Sequence, residues 1–206
     1  MRDVTYIINT HCSYTLPVER LLISMKNINP RNIIAVVAQC AEYKYLELDS
    51  GMQIYNVMHN SFDFTGAITL FDYNIRTHDH ILFLQDTMEL GNNSDTLIRN
   101  APDGPAISVF GGQCNLILFK RTYLEHHRKW ILERRNLSKL ESIQYEGMLW
   151  KMTSEHISYP DSCMEILGVD NPYSGAERIK EYYSAIDLIK WKANYGQNMH
   201  SMILHP

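Results

Sequence analysis

The segment Asp79-His80-Ile81-Leu82-Phe83-Leu84-Gln85-Asp86-Thr87 holds four apolar residues in a row, then a polar group containing a carboxylate. A short unbroken apolar run is the pattern of a strand covered on both faces, as in a parallel sheet flanked by helices. Open sheets of that kind bind ligands beyond the carboxyl ends of their strands. Asp86 therefore falls where a nucleotide or a metal ion would be met. The plainer role for such a residue is to cap the turn that follows. Asp79 begins the same strand, and an extended chain carries it to the opposite end of the sheet.

Similar runs precede it. Val4 to Asn9 reads as a first buried strand, ending at Thr10-His11-Cys12-Ser13. Val18, Leu21, Leu22 and Met25 then recur at helical spacing, with Pro17 suited to the first turn. Ile33 to Ala38 is a second strand, ending at Gln39-Cys40, and this β-α-β succession predicts a parallel pair with a right-handed crossover. Residues 41–51 are polar and end in a turn. Gln53 to Met58 is a third strand, and Phe64, Ala67, Ile68, Phe71 and Ile75 mark a second helical face. Residues 1–90 thus read as three βα units and a fourth strand, the pattern of a doubly wound α/β sheet.

Beyond residue 90 the rhythm changes. Residues 91–105 read as a loop rich in Gly, Asn, Asp and Pro, and Ile107–Phe110 and Leu116–Phe119 as short strands around Gly111-Gly112. Thr122-x-x-Glu125, Ser138-x-x-Glu141 and Ser174-x-x-Glu177 match the capping box and predict three helices. The last of these would carry Ile179, Tyr182, Tyr183 and Ile186 on one face, as core rather than as a sugar platform. Residues 153–173 read as irregular. No repeat or linker divides the 206 residues, so one domain over 1–206 is expected.

Composition narrows the chemistry. The net charge of −4 carries no basic footprint, so nucleic acid is not expected as a partner. The four cysteines form no C-x-x-C pair, which argues against a zinc knuckle. The start, Met1 to Thr5, leads straight into a strand without a signal peptide's apolar region. No run approaches the ~18 apolar residues of a membrane span, and a soluble, cytoplasmic protein with reduced thiols is the simplest expectation. The turn after the first strand has no glycine, so it is not a dinucleotide fingerprint. G-x-x-x-x-G-K-[ST] and G-x-S-x-G are absent as well. A divalent cation held by carboxylate oxygens is then the obvious means of handling a diphosphate, with Asp86 the first candidate ligand and Glu89 close by.

The order of these elements, with a carboxylate at the end of the fourth strand, resembles the nucleotide-sugar glycosyltransferases of the GT-A fold. In that family a D-x-D motif after an apolar strand holds a divalent metal against the donor diphosphate. Leu84-Gln85-Asp86-Thr87-Met88 has one carboxylate where the family has two, and Asp86 matches the metal-ligating second position. The segment from Asn60 through Asp63 to Gly66-Ala67 is similar to an element of bacterial rhamnan-type glycosyltransferases. Gly111-Gly112 is similar to a glycine element near the donor sugar. Tyr145-Glu146-Gly147 sits where inverting members carry an acidic base. The compact form is also similar to glycosyltransferases of large DNA viruses such as chlorella viruses, which would place the protein in host cytoplasm.

The resemblance implies a GT-A, Rossmann-like, mostly parallel sheet flanked by helices, with a helical C-terminal part. Residues 1–90 would bind the nucleotide, and residues 91–206 would form the acceptor side. The donor would be a UDP- or dTDP-activated hexose, the acceptor a glycan and the cofactor Mn²⁺ or Mg²⁺. Donor-binding residues would be Thr10, His11, Gln39, Asn60, Asp63, Gln85, Gly111 and Gly112. Glu146 would be the base, and Asp86 with a late histidine, His205, would hold the metal. A non-catalytic nucleotide-sugar-binding module and a nucleotidyltransferase are the alternatives.

Overall fold

The computed structural model describes residues 1–108, 117–145, 148–152, 157–158, 163–173 and 177–193. Its strands are β1 (Val4–His11), β2 (Ile33–Ala38), β3 (Lys44–Glu47), β4 (Gln53–Asn56), β5 (His80–Gln85), β6 (Met88–Leu90), β7 (Ala106–Ser108), β8 (Ile117–Lys120), β9 (Ile157–Ser158), β10 (Met164–Asp170), β11 (Arg178–Tyr183) and β12 (Leu188–Ala193). Eight of them form one mixed sheet in the order β3-β4-β2-β1-β5-β8-β7-β9. The other four form a smaller sheet in the order β10-β11-β12-β6.

The centre of the large sheet is parallel: β1 pairs with β2 on one side and with β5 on the other, and β2 pairs with β4. Successive side chains of a strand point to opposite faces, and both faces are buried here. Tyr6, Ile8, Leu82 and Leu84 enter one core with Leu21 of helix α1 (Thr15–Ser24) and Met25, which caps its C-terminus. Ile7, Ile81 and Phe83 enter the other with Ala67, Ile68 and Phe71 of helix α2 (Thr65–Asp72). Helices on both faces are what the unbroken apolar runs require.

Several expectations are corrected. In 41–51 the chain forms β3, an exposed edge strand paired antiparallel to β4. Within 91–105 it forms helix α3 (Ser94–Arg99). Helices α4 (Arg121–His126), α5 (Arg128–Leu132), α6 (Lys139–Tyr145) and α7 (Met148–Lys151) follow β8. Thr122 lies inside α4 and is not its cap, and Glu125 instead pairs with Arg121 at 2.8 Å. Ser138 does cap α6 reciprocally: the Glu141 amide donates to its hydroxyl at 3.3 Å, and the Ser138 amide donates to the Glu141 carboxylate at 2.7 Å.

Beyond α7 the described residues are mainly strands, with one 3-10 turn at Ser184–Ile186. Residues 164–170, expected to be irregular, form β10, and the helix expected around Ile179 is strand β11. Tyr183 and Glu181 are buried on one face of β11, where the tyrosine hydroxyl donates to the carboxylate at 2.7 Å. The same residues satisfy a period of two as well as a helical one. Strands β10 and β12 on either side complete the ladder and decide between the two. Among the described residues no helix is long and apolar enough to cross a membrane.

Candidate functional site

The parallel strands β1, β2 and β5 end together, and their last residues project from the same edge of the large sheet. Asn9 is the anchor of this edge. It is buried, its side-chain Nδ2 donates to the Asp63 backbone carbonyl at 3.2 Å, and its side-chain Oδ1 accepts the Gly66 amide at 2.7 Å. Gly66 is required there, because a Cβ would come within 2.6 Å of the Asn9 side-chain oxygen and 2.8 Å of Ile7. This close approach holds the start of α2, and the 3-10 turn Phe62–Phe64 before it, against the ends of β1 and β5.

That turn presents Asp63, which is only 8% exposed. Its carboxylate accepts a hydrogen bond from the Gln85 amide at the end of β5. One residue on, Asp86 is also 8% exposed, and its Oδ2 accepts the Thr10 hydroxyl of β1 at 2.8 Å. The Asp86 amide donates to the Asn9 carbonyl at 3.2 Å. Burial pushes the Asp86 carboxyl up to about 6, against the opposing pull of the Thr10 hydroxyl, the Arg178 charge, the Thr87 amide and His11.

On the outer side of Thr10, His11 Nε2 lies 2.7 Å from the Gln39 side-chain oxygen, which the Asn60 amide also approaches at 3.5 Å. Gln39 follows β2 with φ of +58°, a left-handed conformation that turns its side chain back across the strand ends. Thr10, His11, Gln39, Asn60, Asp63, Gln85 and Asp86 are thus brought together at one edge. Gly111, Gly112, Glu146 and His205 lie outside the described residues.

Glu89 does not reinforce Asp86. It stands on β6, in the small sheet, and its Oε1 accepts from the Arg20 guanidinium at 2.9 Å and the Trp191 indole at 2.8 Å. The structure adds residues that strand-end reasoning missed. The Arg178 charge acts on Asp86, and the Tyr173 ring has the guanidinium groups of Arg20 and Arg178 nearby, their Cζ atoms 5.5 and 5.2 Å from its centre. Arg178 begins β11 and Tyr173 follows β10, in segments that read as a helix and an irregular stretch in sequence, so no local signal could have marked them.

The donor set tests the expected metal. A magnesium-type site uses one or two carboxylates with water and substrate phosphates, and other divalent cations take more protein ligands. Among the described residues no group of three or more His, Cys, Asp or Glu could hold a metal ion. Asp86 is a single buried carboxylate with one oxygen engaged by Thr10 and a guanidinium charge acting on it. Of the two expected ligands only Asp86 is among the described residues, so a divalent cation here would draw its remaining ligands from water and substrate phosphate.

No protein-family model matches the sequence. No curated protein matches it either. Among solved structures, the chain is similar to the glycosyltransferase GlyE of Streptococcus pneumoniae TIGR4, with 13% identity and a TM-score of 0.44 over 76% of this chain and 46% of that chain. For the apo form of GlyE the identity is 14% and the TM-score 0.41, over 78% of this chain and again 46% of that chain. The chain therefore spans less than half the length of the structures it matches.

Proposed function

We propose that this protein is a GT-A-like glycosyltransferase that moves a hexose from a nucleoside-diphosphate sugar, with a UDP-sugar favoured, to a glycan acceptor. The observation that carries the reading is the linked polar edge at the ends of β1, β2 and β5. There Thr10 is bonded to Asp86, Gln85 to Asp63, and His11 to Gln39. Open α/β sheets bind nucleotides at this position. The glycine-free turn after β1 leaves side chains, rather than a backbone cradle, to recognise the ligand.

In this reading His11, Gln39 and Asn60 meet the nucleoside through their ring and amide groups. Asp63, Gln85 and Asp86 meet the ribose and sugar hydroxyls, which carboxylates and amides bind by accepting and donating hydrogen bonds. Glu146 is the proposed base. It would take the proton of the acceptor hydroxyl, whose oxygen attacks the anomeric carbon as the nucleoside diphosphate departs. That displacement inverts the anomeric centre.

The test is a thermal-denaturation screen of UDP-sugars, dTDP-sugars and nucleoside triphosphates, followed by donor hydrolysis. At a donor concentration about 100-fold above Kd, binding adds about 2.7 kcal/mol, or roughly 5–10 °C in Tm for a chain of this size. Nucleotide sugars should raise Tm and be hydrolysed, and Asp86→Ala should lose the hydrolysis. Stabilisation by triphosphates instead would favour the nucleotidyltransferase. Binding with neither hydrolysis nor transfer would leave a sugar-nucleotide-binding module.

A further inference from the structure

We infer that Arg178 and Tyr173 bind the donor diphosphate directly, in the place a divalent cation would take. The inference rests on the glycosyltransferase reading above. A nucleoside diphosphate must have its negative charge balanced as it is bound and released. At the polar edge of the large sheet the described side chains include two carboxylates, Asp63 and Asp86, which add negative charge there.

The small sheet supplies the missing charge. Arg178 is the first residue of β11, the strand flanked by β10 and β12, and is half-buried. The Trp191 amide of β12 donates to the Thr87 carbonyl at 2.8 Å, and Arg178 faces Ala193, two residues further along β12, so this end of the small sheet adjoins the carboxyl ends of the parallel strands, where the Arg178 charge acts on Asp86. Among the described residues Arg178 has no carboxylate within ion-pair distance, whereas Arg20, the other guanidinium at the Tyr173 ring, is held by Glu89. A guanidinium presents a planar fork of N–H donors that matches phosphate oxygens two at a time.

Tyr173 offers an independent observation. Its hydroxyl is buried and has no hydrogen-bond partner among the described residues. Buried polar groups are almost always satisfied, so an unpaired one is a candidate for a ligand contact. Burial, and then the Glu89 carboxylate, push the phenol well above its ordinary value, so it stays protonated and can donate to a phosphate oxygen. Its position is fixed from behind. Arg20 is engaged by Glu89 at 2.6 Å and by the Pro172 carbonyl at 2.9 Å, and it packs its guanidinium against the Tyr173 ring. Arg20 is thus a positioning residue, and Arg178 is the charge left for the ligand.

The experiment is calorimetric titration of UDP into the full chain, once in EDTA and once with Mn²⁺. The expected result is binding in EDTA that Arg178→Met weakens by tenfold or more. Arg178→Lys should fall between, because an ammonium keeps the charge and loses the fork. Tyr173→Phe should weaken binding several-fold. The salt dependence of UDP affinity should flatten in Arg178→Met, which a merely structural role would not produce. Should that variant fail to fold, Arg178→Lys and Tyr173→Phe give the same readout. Binding only with Mn²⁺, and equally in the wild type and Arg178→Met, overturns the inference and leaves the transferase reading standing. Absence of UDP binding in both conditions overturns both.

Discussion

Asp86 occupies a site that favours the neutral acid over the carboxylate. It is nine-tenths buried, and burial raises its carboxyl from 3.8 to about 6. A folded-state pKa above the unfolded one means that the stabilisation from the neutral acid is complete below about pH 3.8. It is lost as the pH rises through about 6. Each pH unit of such a rise corresponds to about 1.4 kcal/mol, so ionised Asp86 costs on the order of 3 kcal/mol at neutral pH. Asparagine keeps an acceptor for the Thr10 hydroxyl and removes the charge. Asp86→Asn should therefore be more stable than the wild type at pH 7.5 by up to about 3 kcal/mol. The gain should vanish below about pH 3.8, and denaturant titrations at several pH values check both limits. If the same variant loses donor hydrolysis, stability is being given up for function at this residue. Asp86, Gln85 and Asp63 were legible in the sequence because they flank recognisable strands and helices. Asn9 was not, since a polar residue at the end of an apolar run carries no sign that it will bridge two elements.

At the scale of elements, the parallel half was readable because its strands and helices differ so clearly in period. Ile33–Ala38 is a strand with the bounds expected, and α1 and its C-cap present Leu21 and Met25 to the sheet as their spacing requires. The contact between α2 and the sheet depends on Gly66. Adding a methyl group there would bring Cβ within 2.6 Å of Asn9 and 2.8 Å of Ile7. Alanine is intrinsically the better helix residue by up to about 1 kcal/mol, but overpacking of a tight contact costs about 1–3 kcal/mol. Gly66→Ala should be destabilised on balance. It should also weaken nucleotide-sugar affinity, because a displaced Asn9 releases the turn carrying Asp63. Denaturant titration and ligand-induced Tm shifts measure the two effects separately. β11 was misread for the opposite reason. Arg178–Tyr183 is compatible with both periods, and only its two neighbouring strands resolve the ambiguity.

For the molecule as a whole, the decisive event is a departure of the chain immediately after Asp86. β5 ends in the large sheet at Gln85, and Met88–Leu90 already pairs with β12 in the small one. The loop after β6 is then locked by Asp187, in a left-handed conformation with φ of +50°. Its carbonyl accepts the Gly91 amide at 2.6 Å and its carboxylate the Asn93 amide at 3.0 Å. A Cβ on residue 91 would fall 2.2 Å from the Asp187 carboxylate. Gly91→Val should loosen β6 and β12 while the parallel core stays folded. Hydrogen exchange should show lost protection in β10 to β12 and retained protection in β1, β2 and β5. Uniform loss throughout would mean that the two sheets unfold as one unit. By itself the sequence determined the doubly wound half and the end of the sheet where its polar residues gather. Unbroken apolar runs and helical spacing are local signals that need no distant partner. Only the tertiary structure decided what adjoins that edge, because the Arg178 charge acts on Asp86 from a strand that has meaning only when paired.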